Sequence, residues 1–494
     1  MNLEPTTSPG TDAPKPPVPR DGPSVGVVGG GISGLTAARI LSEGGARITL
    51  YEKQPRVGGL IRTRASAGWQ VDEGPNTLLL RGGSRAGELV RDLGLEERLQ
   101  EAEKTASRRY ILRDGRPQPL PSSPGEMIST GLLSAGAKLR LLAEPFARRG
   151  ENPDESVASF FRRRLGPEVV DYAVNPFVGG IWAGDPEQLV MRHSFRRLWE
   201  MEQQYGSLLA GGLASLFGGV GDSKGGGRRL VSFAGGMQEL PHALAEATAM
   251  ELLTGADVRT LRRTRGSGPG GGRREHPGGA APARRRPGWE VSFRREGENR
   301  TRTHQALVLA CPPPVIAQMS GMPDLPRLPA APVSVLATGF RREQVDHPLD
   351  GFGLLIPERE SLSPLGTLFS STLFPGRAPD GHVLLTTFAG GARQPELASR
   401  STGKLRGQLL ADLAPILGIS GDPVFVSHTF WEAAIPQYTA AYGELREALT
   451  QMERDRPGLF ACGNFVGGVS LPDCMETAAE TAARVLSFLD SQGA

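Results

Sequence analysis

The 494-residue chain predicts a mixed α/β protein, in which a parallel nucleotide-binding sheet is combined with a mixed-sheet domain and a helical module. Three observations carry this. An apolar run, a glycine-rich turn, a helical stretch and a second apolar run follow one another over residues 24–51. Alternation of period two dominates residues 333–428. Between residues 84 and 229, apolar residues instead recur three or four apart opposite Arg-rich faces.

Composition bounds the rest. Hydrophobic residues are 38% of the chain and charged residues 22%, enough apolar content for a sizeable core. Much of the Gly and Pro excess sits in 1–23, read as a disordered tail, and in 262–288, read as a disordered insertion. That insertion holds eight Arg against Glu275, so the net charge of +3 leaves the remainder mildly acidic. A basic nucleic-acid-binding domain is thereby excluded. Cys311, Cys462 and Cys474 form no CxxC pair and are odd in number, which argues against a disulfide framework or structural zinc and fits a reducing compartment. No apolar run approaches the roughly 20 residues that span a bilayer, and 1–23 shows no apolar stretch of an export signal.

In chain order, Val25–Val28 reads as a strand buried on both faces, 35–43 as a helix stopped by Gly44 and Gly45, and 46–51 as the next strand. Helical patterns follow at 86–93, 136–149 and 156–164. Residues 229–245 return to the nucleotide side, with strands at 256–258, 289–294 and 306–311, the last halted by Pro312, Pro313 and Pro314. Residues 459–470 read as strand then glycine loop, and 475–489 as a closing helix.

Gly29, Gly31 and Gly34 supply G-x-G-x-x-G, with Ser33 inside it, between the first strand and helix. Gly29 makes the turn, Gly31 admits a pyrophosphate to the backbone, and Gly34 lets the helix pack on the sheet. The helix N-terminus adds free N–H groups. Glu52 ends the second strand 18 residues after Gly34, placed to take ribose hydroxyls and to disfavour the 2′-phosphate of NADP. This is a Rossmann-like signature. Gly58 and Gly59 offer more backbone to a pyrophosphate, and the 459–470 loop can present N–H groups to a flavin ring. With a single strand–G-x-G-x-x-G–helix unit, the pattern favours one bound flavin, FAD, reduced by its substrate and reoxidised by a diffusible acceptor. The seven His show no ligand spacing, so no metal site and no catalytic side chain are assigned.

Residues 27–35 (VVGGGISGL), 71–77 (VDEGPNT), 108–115 (RRYILRDG), 166–191, 351–357 (GFGLLIP), 367–379, 386–391 (TTFAGG), 435–438 (IPQY) and 463–474 run in family order. On these the chain resembles the protoporphyrinogen oxidase family, a branch of the amine-oxidase-like FAD superfamily. The resemblance implies oxidation of a porphyrinogen to a porphyrin by three hydride-type transfers to the flavin, with O2 as acceptor and H2O2 released. It implies that Arg109 pairs with a substrate propionate, Leu355 and Leu368 sandwich a pyrrole ring, Phe388 stacks nearby, and Gly180 lets the macrocycle approach the backbone. Gly463, Asn464 and Val469 would lie beside the isoalloxazine and Val258 would meet the adenine. Arg62 stands two residues beyond Leu60, where amine oxidases often carry Arg, and is a weaker candidate for the pyrophosphate. Arg108 and Arg109 are expected on one strand, facing opposite ways. Leu355, Leu368 and Phe388 alternate in strand-like runs, a pattern shared by core wall and pocket wall.

The implied organisation is an FAD-binding domain at 24–85, 229–312 and 454–494, a substrate-binding domain at 105–122 and 313–453, and a helical membrane-associating module at 86–104 and 123–228. Residues 128–149 and 208–220 are apolar enough to dip into an interface, so peripheral contact with the cytoplasmic membrane is expected of a cytoplasmic protein, with a homodimer compatible. The rival readings are a coproporphyrinogen III oxidase of the same fold, an amine oxidase or carotenoid desaturase, and a non-catalytic carrier that keeps the nucleotide fold. Few inward Arg or Lys over 333–442 favour the less charged porphyrinogen.

Overall fold

The computed structural model describes residues 21–211, 227–264 and 287–492. The predicted tail, the insertion and the apolar stretch 208–220 lie mostly outside them. The chain divides into two compact units, one of residues 60–239 and 328–444, the other of the described residues within 21–59, 240–327 and 445–492.

In the second of these, five parallel strands pair in the order Met250–Thr254, Arg47–Glu52, Ser24–Val28, Ala306–Leu309, Leu459–Ala461. Val25, Val27, Ile48, Leu50, Leu307 and Val308 are fully buried, so consecutive residues of one strand are covered on both faces. That is why these strands read as continuous apolar runs rather than alternations. The Ile32–Glu43 helix packs on the Leu471–Ser491 helix. The latter begins four residues before its expected start because Ser470 Oγ accepts the Asp473 N–H and Pro472 occupies the first turn, where its missing N–H costs nothing. An antiparallel sheet of Asp257–Thr264, Gly288–Arg295 and Glu298–His304 places the insertion between its first two strands.

In the other unit, seven strands pair in the order Phe425–Pro436, Ala330–Arg341, His382–Gly390, Pro364–Phe369, Gly353–Leu355, Tyr110–Arg113, Arg116–Pro119. All pairs are antiparallel except Gly353–Leu355 with Tyr110–Arg113, which makes the sheet mixed, as the alternation over 333–428 predicts. The alternating stretch is interrupted by the Thr402–Leu417 helix, whose Leu405, Leu409, Leu413 and Leu417 form one buried stripe in the sheet's cores.

Helices expected at 86–93 and 156–164 form as Arg85–Asp92 and Val157–Leu165. The one expected at 136–149 stops at Leu142, and Pro145 opens a separate 3-10 turn over Glu144–Phe146. These helices share a unit with the seven-stranded sheet, as do residues 60–85 and 229–239. Fully buried Arg164 joins them, donating from Nε to Glu144 (2.6 Å) and from Nη1 to Glu202 (2.6 Å).

Candidate functional site

The nucleotide-side candidates gather where five parallel strands end. Gly29 follows the central strand, Glu52 ends its neighbour, and Gly463 lies two residues past the edge strand. In open parallel sheets, ligands bind in the crevice outside these carboxyl ends. Gly29 has φ +109°, and a side chain there would run into the Ala310 carbonyl, while one on Gly34 would overlap the Gly29 carbonyl. Gly31 differs: its φ is −75°, and a Cβ built on it meets nothing within 4 Å. Neither backbone conformation nor packing demands glycine there, so the open space is what it provides. That is the cradle a pyrophosphate requires, and the residues fit FAD.

The second glycine pair joins this loop. Gly58 N–H donates to Gly30 O at 2.8 Å, and Gly31 bridges to Gly58. Glu52 is buried and accepts from Gly30 N (2.6 Å) and Gln54 N (2.7 Å), so its carboxylate shapes the loop while retaining lone pairs for a ribose. Ser33 is buried in the first helical turn. Ala256 N–H donates to Glu52 O (2.9 Å), which carries Val258 past the end of the Glu52 strand. Past the edge strand, Val466 N–H returns to Gly463 O (3.0 Å), and Arg446 holds the Val466 carbonyl, ordering the loop through Asn464 and Val469. Burial pushes the Cys311 and Cys474 thiols up to about 12, so both stay protonated at neutral pH.

Arg62 belongs to the unit of the seven-stranded sheet. It pairs with buried Glu73, donates to Thr429 Oγ1 at 3.0 Å and lies over Trp431 at 5.1 Å. Thr429 and Trp431 come from a strand more than 360 residues away, which no local motif announces.

All five substrate-side candidates lie in that unit. Register pairs Leu368 with Gly353 and Leu355 with Gly366, and the next strand pairs Phe388 with Gly366. Leu355, Leu368 and Phe388 therefore project from one face of the sheet. Each is partly exposed, whereas Leu354, Phe369 and Ala389, pointing the other way, are buried. The three are a wall with an open side. Gly180, exposed on the Asn175–Trp182 helix, comes so close that a Cβ there would lie 2.9 Å from a Leu355 methyl carbon.

Arg108 and Arg109 both precede the strand, which starts at Tyr110, and both are exposed. The expectation that they share a strand is corrected: a 3-10 turn over Lys104–Ser107 delays it. They still diverge. Arg108 donates to Asp350 at 2.7 Å, while the Arg109 guanidinium lies 5.3 Å from the centre of the Phe352 ring and makes no side-chain hydrogen bond among the described residues. Phe352 and Leu368 both pack against one buried cluster, Ala106, Leu373 and Phe374. A cation without an ionic partner above an aromatic face is available to a carboxylate. Phe352 was missed because aromatic residues beside a strand signal core as readily as a platform.

Within 128–149, Ile128, Leu139, Leu142 and Phe146 are 78%, 68%, 73% and 89% exposed, four large apolar side chains presented to solvent by one short segment. Lys138 Nζ donates to Ile128 O (2.7 Å) and Thr130 O (2.8 Å), tying the Ala135–Leu142 helix to the end of the Pro124–Ser129 helix. Among the described residues no helix is long and apolar enough to cross a membrane.

Residues 32–486 match the family described as flavin containing amine oxidoreductase. Protoporphyrinogen oxidase 2, chloroplastic/mitochondrial, of Arabidopsis thaliana is 37% identical over 95% of both chains. Coproporphyrinogen III oxidase of Bacillus subtilis is 27% identical over 94% of this chain and 98% of its own. Among solved structures, a protein of Exiguobacterium sp. 255-15, provisionally named protoporphyrinogen oxidase, superimposes with a TM-score of 0.75 over 94% of this chain and 99% of that one, at 22% identity.

Proposed function

The chain belongs to the flavin containing amine oxidoreductase family, in its protoporphyrinogen oxidase branch, and on that premise we propose that it oxidises protoporphyrinogen IX to protoporphyrin IX in tetrapyrrole biosynthesis. It is an FAD-dependent oxidoreductase. The observation that carries the substrate reading is the partly exposed wall of Leu355, Leu368 and Phe388 on one sheet face, with Arg109 lying over Phe352, which packs on the same buried cluster as Leu368. A flat apolar macrocycle with carboxylate arms needs such a wall and such a cation.

Gly29, Gly31, Gly34, Gly58 and Gly59 would hold the pyrophosphate, Glu52 the ribose, Val258 the adenine, and the Gly463–Asn464–Val469 loop the ring system. When bound, FAD would supply the hydride acceptor, with dioxygen as the final oxidant and H2O2 as its product. The side chains orient and exclude water. Arg109 takes one propionate in a charge-assisted pair, the apolar wall fixes the ring plane, and Gly180 removes the side chain that would keep the ring from the helix. The exposed residues at 128–146 would rest in a lipid interface and make the protein peripheral to a membrane.

Coproporphyrinogen III, with four carboxylate arms, is the rival substrate, and the sheet wall offers one uncommitted guanidinium among the candidates rather than several. The test is purified, flavin-loaded protein assayed for oxygen-dependent porphyrin fluorescence on both porphyrinogens. A higher kcat/KM on protoporphyrinogen supports the proposal. Preference for the tetracarboxylate overturns the substrate, and colourless protein inert towards both overturns the function.

A further inference from the structure

The approach of Gly180 to Leu355, so close that a Cβ on Gly180 would lie 2.9 Å from a Leu355 methyl carbon, joins two elements that are far apart in sequence, the Asn175–Trp182 helix and the Gly353–Leu355 strand. Something must set that spacing. Three residues past Leu355, Glu358 donates its N–H to Asn175 Oδ1 (3.0 Å), and Asn175 Nδ2 donates back to Glu358 Oε2 (3.0 Å). Arg393 Nη1 donates to the same Oε2 at 2.6 Å. Asn175 is buried with both ends of its amide used by one residue, so its geometry is specific. The Arg393 side chain is 12% exposed and passes over the helix, with Nη2 3.5 Å from where a Gly179 Cβ would stand. The helix thus meets the strand at Gly180 and the guanidinium at Gly179, while its first residue is held by the loop that continues the strand. Immediately before Asn175, Val170–Val174 is π-helical, a local irregularity that often accompanies function.

We infer that Asn175, Glu358 and Arg393 form a clasp that sets the distance between the helix and the strand, and so the width of the slot that receives the porphyrinogen. This rests on the substrate face proposed above. The three are positioning residues, because they act through Gly180 and Leu355 rather than on the ring. Loosening the clasp widens the slot, and adding a methyl group at Gly180 narrows it, so the two changes offset each other.

The test uses full-length, flavin-loaded protein as wild type, Gly180→Ala, Glu358→Ala, the double variant, and Glu358→Gln. Each alanine single should raise KM for protoporphyrinogen about fivefold, and the double should be no worse than the worse single, the coupling expected of residues sharing one contact. In Glu358→Ala, kcat and flavin absorbance stay near wild type. Glu358→Gln keeps the acceptor for Asn175 and Arg393 and stays within about twofold in KM. Multiplying effects in the double, an unchanged KM in Glu358→Ala, or lost flavin in that variant overturns the clasp. The same proteins are read without turnover from the Kd of protoporphyrin IX by tryptophan quenching. A wild type that oxidises no porphyrinogen sinks the functional reading, whereas independent effects on Kd sink the clasp.

Discussion

Leu355 and Phe388 stand on different strands yet face the same way, both registered against Gly366 on the strand between them. A glycine between two apolar side chains leaves a shallow trough rather than a filled row. Replacing Gly366 with Val should close that trough, and the added Cβ would also crowd the Leu354 carbonyl at 2.8 Å. KM for the porphyrinogen should rise about tenfold or more. Flavin absorbance should persist, because Gly366 lies in the sheet unit and the glycine cradle in the other. Steady-state kinetics beside a visible spectrum check this, and an unchanged KM would remove the trough from the substrate site.

Gly31 separates ligand from fold more cleanly than its neighbours. Its φ suits any residue and a Cβ there touches nothing, so Gly31→Ala should fold with the apoprotein Tm of wild type. A methyl group in the cradle should weaken FAD binding at least about tenfold, as overfilling a close-packed site does. Gly34→Ala, whose Cβ overlaps the Gly29 carbonyl, should lose Tm as well. Flavin titration and thermal melts of the apoproteins distinguish the two. Equal FAD affinity in Gly31→Ala and wild type would mean that the open space is not the phosphate site.

These contrasts show what sequence could and could not convey. Gly29, Gly31, Gly34 and Glu52 were legible because a tight turn, a helix start and a strand end impose their spacing within a short segment. The helix at Thr402–Leu417 carries its own signal in Leu405, Leu409 and Leu413 four apart, but it lies inside a run that otherwise alternates, and that period masks it. Alternation placed Leu354 and Leu355 on opposite faces but could not say which face is open. That depends on packing against a helix some 180 residues earlier. Asn175, Glu358 and Arg393 gave no sign at all, since each is unremarkable until the fold brings them together.

Arg109 makes a sharper case than its neighbour. Arg108 is already paired with Asp350, so Arg108→Ala removes a surface ion pair and should leave KM within about twofold. Arg109→Ala removes a charge with no ionic partner among the described residues, and should raise KM about ten- to a hundredfold at near-constant kcat, the worth of one charge-assisted hydrogen bond. Arg109→Lys should recover part of the loss. If the two alanine variants behave alike, Arg109 is not the anchor.

His304 makes stability depend on pH. Its Nε2 meets the Tyr51 hydroxyl at 2.7 Å and its Nδ1 the Ser24 hydroxyl at 2.8 Å, bridging two strands of the parallel sheet. Burial, helped by Arg302 and Arg47, holds the imidazole down at about 4. The folded protein thus keeps it neutral where the unfolded chain, near 6.5, takes a proton. Its contribution is complete above pH 6.5 and is lost as pH falls from there towards 4, in total about 3 kcal/mol. Tm measured from pH 7 to pH 4 should fall in that window, and His304→Gln should flatten the fall. An equally steep slope in the variant would assign the acid sensitivity to other groups.

The last expectation concerns the apolar surface at 128–146. Leu139, Leu142 and Phe146 are mostly exposed, and Arg140, Arg148 and Arg149 lie among or beside them in sequence, the mixture that favours an anionic lipid interface. Burying one such side chain is worth about 1.5–3 kcal/mol when complete, so three half-inserted residues outweigh any single charge. Leu139→Ser, Leu142→Ser and Phe146→Ser together should release the protein from vesicles containing phosphatidylglycerol, reducing the bound fraction more than about tenfold. The same triple variant should keep its Tm, since none of the three is buried in the core, and keep its kcat on detergent-solubilised porphyrinogen. Retained vesicle binding would mean that this patch serves contact with protein or none, and that any lipid attachment lies elsewhere on the chain.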